Sequence, residues 1–510
     1  MTNPPDNLAT RPRESAFVMA LLAAFLGLNL LTALSYPHVW MDEVMWADPA
    51  ANLIQGRGFV STAWPFQTSD RFFAGNVPLH PLVLAGWLKL FGLSPLAVRS
   101  FNYLWFTLGT FLVWRFCVRL RWIESTAWRL VLMALLAMGS GLSFSYRSGR
   151  YDMIGYFLLA LSLNAATIPR PALRNLCLLG LGMLLPWAGL QLLPALAFIA
   201  VLIFAFWGFR PALNAVVLGA GALVGLAGLY WLYASHGVWH EFLDSIGKST
   251  DAPAAQSRLA EWAGLFVRDR SAPFLLLLNA WLAAAAWKTR DAALARIASF
   301  GLAAGILLPP AMQAAGHFPI YYGWMTALPQ SLAICHVLGR RAVKSFFGRV
   351  LALTLLAGAM VVGLPLRLLI AAAGSCPYSA VQQFAGAHLR PADIVLADYP
   401  AYYPAMRAAR KVFTPLYLEK IMPAAERRQV NILVINPAAF ASCRTNFPGD
   451  WRLAAEFTNQ NVAPPILPAF LIRRFQSHQL TGIYAPYRLA VYRKFPVSSP
   501  PQAAPPGVAK

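Results

Sequence analysis

About eleven apolar runs of span length punctuate this chain, and they limit its fold more than any other feature. The first, Ser15 to Tyr36, is almost wholly apolar. A helix needs about 20 such residues to cross a bilayer. No small-residue cleavage site follows the run, so it reads as a retained span rather than a removed signal peptide. Further spans are predicted at about 95–117, 126–146, 151–168, 176–189, 191–209, 212–234, 272–287, 297–315, 322–338 and 350–372. Only 12% of the 510 residues are charged, where soluble domains carry about 25%. The expected fold class is therefore a polytopic α-helical membrane protein.

Short basic loops fix the expected orientation. Arg11, Arg13, Arg119, Arg121, Arg170, Arg174, Arg210, Lys288, Arg290, Arg340, Arg341, Lys344 and Arg349 alternate with less basic connections. By the positive-inside rule they face the cytoplasm. The N-terminus is then inside, and everything after residue 372 lies outside. The opposite face carries loop 37–94, the short turn Arg147–Asp152 and the tail.

The tail changes character. From residue 373 it holds 15 Lys and Arg against 6 Asp and Glu, a net +9 of the formal +22. Segments 393–397, 431–435 and 487–493 read as strands, with helices near 378–389 and 419–428 between them. An extracytoplasmic α/β domain over 373–494 is expected, ending in a Pro-rich, disordered segment at 495–510. The positive charge suits an anionic membrane surface or glycolipid, or simply a solvated basic surface. Nothing points to nucleic acid as a partner. Cys376 and Cys443 are the two thiols of this outer region, which leaves a disulfide between them open.

Four features could carry chemistry. Asp42-Glu43 stands at the outer end of the first run, where carboxylates are costly to desolvate. They either serve a site or mark the water boundary. Neighbouring helical residues point about 100° apart, so the two cannot share one role. The second feature, Arg147-Ser-Gly-Arg150-Tyr-Asp152, is an outer hairpin too short to separate its flanking helices. Asp152 opens the next helix, where the dipole also favours a carboxylate. Two arginines on this face run against the positive-inside trend, so they are expected to hold an anion, either Asp42 or a phosphate. The third is His80, opening an apolar stretch to Phe91 that is predicted to lie along the interface. The fourth is His317-Phe-Pro-Ile-Tyr321-Tyr322, hydrogen-bond donors or an aromatic belt at headgroup level.

In order and sidedness these features resemble the C-type (GT-C) membrane glycosyltransferases, in the branch of protein O-mannosyltransferases and bacterial aminoarabinose transferases. The resemblance rests on Asp42-Glu43, Pro78-Leu79-His80, Phe91-Gly-Leu-Ser94 with Ala97-Val98-Arg99, Arg150-Tyr-Asp152, and the aromatic turn before Gly323-Trp324. It covers most of residues 15–340, and the tail's Tyr-Arg-Leu-x-Val-Tyr-Arg strand is also similar. It implies a bacterial inner-membrane enzyme that transfers a sugar from polyprenyl (undecaprenyl) phosphate, with inversion, to lipopolysaccharide, another glycan or a protein. Asp42 would be the catalytic base, with Glu43 and Asp152 as acidic partners. Arg147, Arg150, His80, His317, Tyr321 and Tyr322 would meet the donor phosphate. One departure stands out: Gly75-Asn76 replaces the Glu-Lys pair that aminoarabinose transferases carry before the Pro-Leu-His run. No cofactor is implied; a divalent cation on the three acids stays open, because nothing fixes a coordination number.

The alternative is a flippase or transporter for lipid-linked sugars. That would predict broken helices and charges near the midplane, with internal repeats. The charges of this chain gather instead at the outer boundary.

Overall fold

The computed structural model describes residues 12–249, 264, 266, 269–316, 318–340, 345–373, 378–458 and 487–495. Apart from Phe495, the Pro-rich end lies outside them, as do His317 and Cys376.

Each predicted span falls on helix. The first is α1 (Pro12–Thr32). Two short helices of loop 37–94 follow, α2 (Met41–Ile54) and α3 (Leu79–Phe91). Next come α4 (Pro95–Arg119), α5 (Thr126–Met138), α6 (Ser140–Arg147), α7 (Asp152–Ala165), α8 (Pro171–Ala188), α9 (Leu192–Trp207) and α10 (Phe209–Ser235). After α11 (Trp239–Ser249) stand α12 (Ala272–Lys288), α13 (Ala292–Ala314), α14 (Gly323–Arg340), α15 (Phe346–Val361) and α16 (Leu364–Ala373). Among the described residues, four helices are long and apolar enough to cross a membrane alone: Glu14–Thr32, Pro171–Ala188, Phe209–Ser235 and Ala292–Ala314. This is a membrane protein. The expected span 126–146 is two helices, α5 and α6, bent by 57° at Gly139. The expected span 350–372 likewise divides into α15 and α16. Where α8 crosses α10, the backbone carbonyls of Leu179 and Leu218 lie against Gly221 and Gly182, an approach that leaves no room for a Cβ.

Side-chain contacts separate the two ends of the helical part. At one end Glu14 of α1 binds Arg129 of α5 at 2.7 Å, and Glu124 binds Arg340 of α14 at 3.1 Å. At the other end loop 37–94, the turn after α6 and the residues before α14 meet, and the tail packs on them.

The tail contains α17 (Tyr378–His388), β1 (Ile394–Ala397), α18 (Tyr402–Ala408), β2 (Lys411–Phe413), α19 (Pro415–Lys420), α20 (Ala424–Gln429), β3 (Ile432–Ile435), α21 (Phe440–Arg444), β4 (Asp450–Thr458) and β5 (Arg488–Phe495). The sheet order is β2-β1-β3-β5-β4, with β1 parallel to β2 and β3, and β5 antiparallel to β3 and β4. Successive strand residues point to opposite faces. Val395, Ala397, Ile432, Val434, Leu489 and Val491 join the core shared with the helical part. Leu396, Leu433, Ile435, Ala490 and Tyr492 build a second core with Phe413 and Trp451 on the far face. Covered on both faces, β3 reads in sequence as an unbroken apolar run.

Candidate functional site

The site is built on the first turn of α2. Trp40 precedes that helix with extended backbone, and its indole N–H donates to the Ser148 carbonyl at 3.0 Å. This bond ties the start of α2 to the Arg147–Asp152 turn. The 100° step between neighbouring residues then sends Asp42 and Glu43 to different partners.

Asp42 pairs with Arg150, whose Nη1 contacts Asp42 Oδ2 and whose Nε donates to Asp152 Oδ2 at 3.0 Å. One guanidinium thus bridges two carboxylates from two elements. Its carbon lies 3.4 Å from the centre of the Tyr321 ring and 5.3 Å from that of Tyr151, so aromatic faces cover the charge. The Tyr151 hydroxyl is 2.8 Å from that of Tyr322, and its ring packs on Trp46, one turn along α2 from Asp42. Asn102 of α4 donates to the Arg150 carbonyl at 2.6 Å. Of the three acids, Asp42 alone keeps accessible side-chain surface, 14% against 0% for both Glu43 and Asp152. Asp152 Oδ1 is buried without a hydrogen-bond partner.

Glu43 points into protein. Arg99 of α4 grips it through Nη2 at 2.6 Å and Nε at 3.2 Å, and the Tyr403 hydroxyl donates to it at 3.2 Å. Gly149, at φ +69°, lies against the same side chain; a Cβ there would sit 2.6 Å from Glu43 Cγ. Glu43 is thus a support for the helix, which corrects the expectation of a catalytic role.

Two further expectations change. The first is a donor-phosphate contact for Arg147. That residue is fully buried, and its guanidinium donates to Asn29 Oδ1 at 2.5 Å, the Tyr36 carbonyl at 2.7 Å and the Thr32 carbonyl at 2.8 Å. It binds the exposed carbonyls at the end of α1, a stabilising place for a cation. The second is the same contact for His80, which is fully buried between Trp46 and Phe101, with neither ring nitrogen hydrogen-bonded. Burial, helped by the nearby Arg150 charge, pushes its pKa down to about 3. A neutral imidazole offers a phosphate no charge. Tyr321 and Tyr322 do stand beside Arg150.

Sequence reasoning placed Arg99 in the resemblance without giving it a role, and it passed over Tyr402 and Tyr403. Arg99 had a signal: an arginine five residues into an apolar span needs a buried partner. The tyrosines had none. Among the described residues no three acid, histidine or cysteine side chains gather as a metal site.

No family model and no curated protein sequence matches the chain. Two solved structures similar to it are crystal structures of the aminoarabinose transferase ArnT from Cupriavidus metallidurans. One is bound to undecaprenyl phosphate; it shares 12% identity over 94% of this chain and 98% of that chain, with a TM-score of 0.39. The other is the apo state, at 12% identity, the same coverage and a TM-score of 0.41.

Proposed function

We propose that this chain is an integral-membrane glycosyltransferase that moves a sugar from a polyprenyl-phosphate donor to a hydroxyl acceptor on the outer face of the bacterial inner membrane. The single observation behind this reading is Asp42: a carboxylate with one accessible edge, held by a buried arginine at the membrane boundary.

An acceptor hydroxyl, with a pKa of about 15, is a poor nucleophile until a positioned base takes its proton. Asp42 accepts that proton as the acceptor oxygen bonds to the anomeric carbon. The bond from that carbon to the phosphate oxygen breaks, and the polyprenyl phosphate leaves with the electron pair. One displacement inverts the anomeric centre, by the logic that separates inverting from retaining glycosidases. Arg150 gains a second role in this sequence. Protonation neutralises Asp42 as negative charge grows on the leaving phosphate, so the guanidinium can shift its attraction from Asp42 to that phosphate. Tyr321 and Tyr322 hold it at the membrane boundary and supply hydroxyls to the same charge. Arg150 occupies the space between Asp42 and Asp152 that a divalent cation would need, so the reading uses the guanidinium as its cation. The acceptor is a glycolipid such as lipid A, another glycan or a protein.

The test uses protein in liposomes with an undecaprenyl-phosphate-linked sugar and an acceptor extract, scoring release of free undecaprenyl phosphate. Asp42→Asn should lower release by at least ~10³-fold, a large general-base contribution. Near-normal turnover by that variant would rule out the base role.

A further inference from the structure

Two neighbouring tyrosines of the outer domain reach two different carboxylates of α2. Tyr403 donates to Glu43 Oε1 at 3.2 Å, and Tyr402 donates to Asp48 Oδ1 at 2.6 Å. All four side chains are fully buried. Glu43 lies in the first turn of α2 and Asp48 five residues on, about 7.5 Å further along the axis. Asp48 is fixed from its own loop as well, accepting from Ser61 Oγ at 2.7 Å and from the Thr62 amide at 2.6 Å. At the far end of α2, Gln55 donates to the Met406 carbonyl at 2.6 Å, again on α18. One short helix of the outer domain therefore contacts α2 in its first turn, its middle and its end.

These contacts set two quantities, the rotation of α2 about its axis and its height along that axis. A residue on a helix moves about 100° and 1.5 Å per step, so small errors in either displace Asp42 from Arg150. Displacement of a reacting group by about 1 Å can lower a rate about 10²-fold. We propose that the outer α/β domain is a positioning part of the transfer site. Tyr403 acts through Glu43, and Tyr402 through Asp48, to hold Asp42 at its working place. This rests on Asp42 being the base. Neither tyrosine is a catalytic residue, since neither touches Asp42.

Two measurements on the full chain in nanodiscs test the proposal. The first is hydrogen–deuterium exchange of peptides covering 41–54, with no substrate present. The second is kcat and KM for undecaprenyl-phosphate-linked sugar in the release assay. Tyr403→Phe should speed exchange at the start of α2 about tenfold and lower kcat about tenfold, as expected for one lost hydrogen bond to a charged group. KM should stay within about twofold, because the lipid-binding surface is untouched. Tyr402→Phe should act in the same direction. Tyr378→Phe, which removes a hydroxyl bonded to the Pro400 carbonyl inside the outer domain, should change neither. Unchanged exchange over 41–54 in both Tyr402→Phe and Tyr403→Phe overturns the proposal whatever the turnover. Faster exchange with an unchanged kcat overturns the link to catalysis. If Asp42→Asn keeps its turnover, the base assignment falls, while the substrate-free exchange result still upholds or overturns the positioning.

Discussion

The Arg99–Glu43 pair offers a test that is independent of any reaction. Both side chains are out of water, at 1% and 0% exposure, and joined at 2.6 Å. Glu43→Gln keeps the shape and removes one charge. At an effective dielectric of about 20 and a charge separation of about 4 Å, the lost attraction is about 4 kcal/mol. Arg99 stays buried and charged, but it retains the Ala33 carbonyl and the Pro37 carbonyl at 2.8 Å, which offset part of the loss. The expected destabilisation is about 3 kcal/mol, at the lower end of what breaking a buried pair costs. Removing both charges in Arg99→Met/Glu43→Gln should cost less than the two single changes summed, by at least about 1.5 kcal/mol. Reversible unfolding by SDS titration, followed by tryptophan emission, measures all three variants. A Glu43→Gln effect below about 0.5 kcal/mol, or simple additivity in the double variant, would refute the view that this pair is a dry clamp on α2.

Arg150→Lys should lower transfer at least about 10²-fold while leaving the fold intact, because an ammonium cannot present the planar fork that spans Asp42 and Asp152; a loss under about threefold in the release assay would count against Arg150 as the bridging cation. Stability should also fall with acid through the buried histidines. His38, stacked on Tyr487, is pushed down to about 4 and His80 to about 3, both mainly by burial. A base whose folded pKa is depressed binds more protons when unfolded, so its stabilisation is full above about pH 6.5 and is lost as pH falls towards about 4. At pH 5 each histidine should contribute about 2 kcal/mol of destabilisation, and His80→Phe should flatten the fall in melting temperature between about pH 7 and 5; an equal fall in that variant would remove His80 from the explanation.

The parts of this molecule that were legible in sequence are those set by local burial. The apolar helices were legible because a lipid-facing helix must be apolar along its whole length. Strands β1 and β3 were legible because a sheet covered on both faces shows as short apolar runs, and β5 because its residues alternate. Edge strands β2 and β4 were not: β2 is three residues long, and β4 exposes much of its surface. The bend at Gly139 was missed because hydropathy sums over a window and is blind to direction. In the site, Asp42 and the Arg150–Asp152 turn were legible because charges at a bilayer boundary are rare enough to stand out. Their pairing was left open between a carboxylate and a phosphate, and the structure gives Arg150 to the carboxylates. The role of Arg147 was misread because a buried charge and a working charge look alike in sequence. What separates them is the inventory of donors: Arg147 is committed to the end of α1, whereas Arg150 keeps its place beside the one of the three acids with accessible side-chain surface.

That contrast shows how the fold separates support from chemistry within two adjacent residues. Glu43 is held by Arg99, 56 positions away, and by Tyr403, 360 positions away. Neither bond carries a periodic signature, since each joins elements that only the tertiary fold brings together. Both draw the Glu43 side of α2 inward. The 100° step then leaves Asp42 facing Arg150. The clamp and the proposed base are consecutive because a helix converts a one-residue offset into a change of direction. The two acids are therefore not interchangeable, although they differ by a single methylene. Asp42→Glu keeps the direction of the base and lengthens its reach. Glu43→Asp shortens the clamp by the same amount, and the shorter side chain loses its grip on Arg99 and Tyr403 together. With both changes made at once, the charge and composition of α2 are unaltered, yet support and chemistry fail as one.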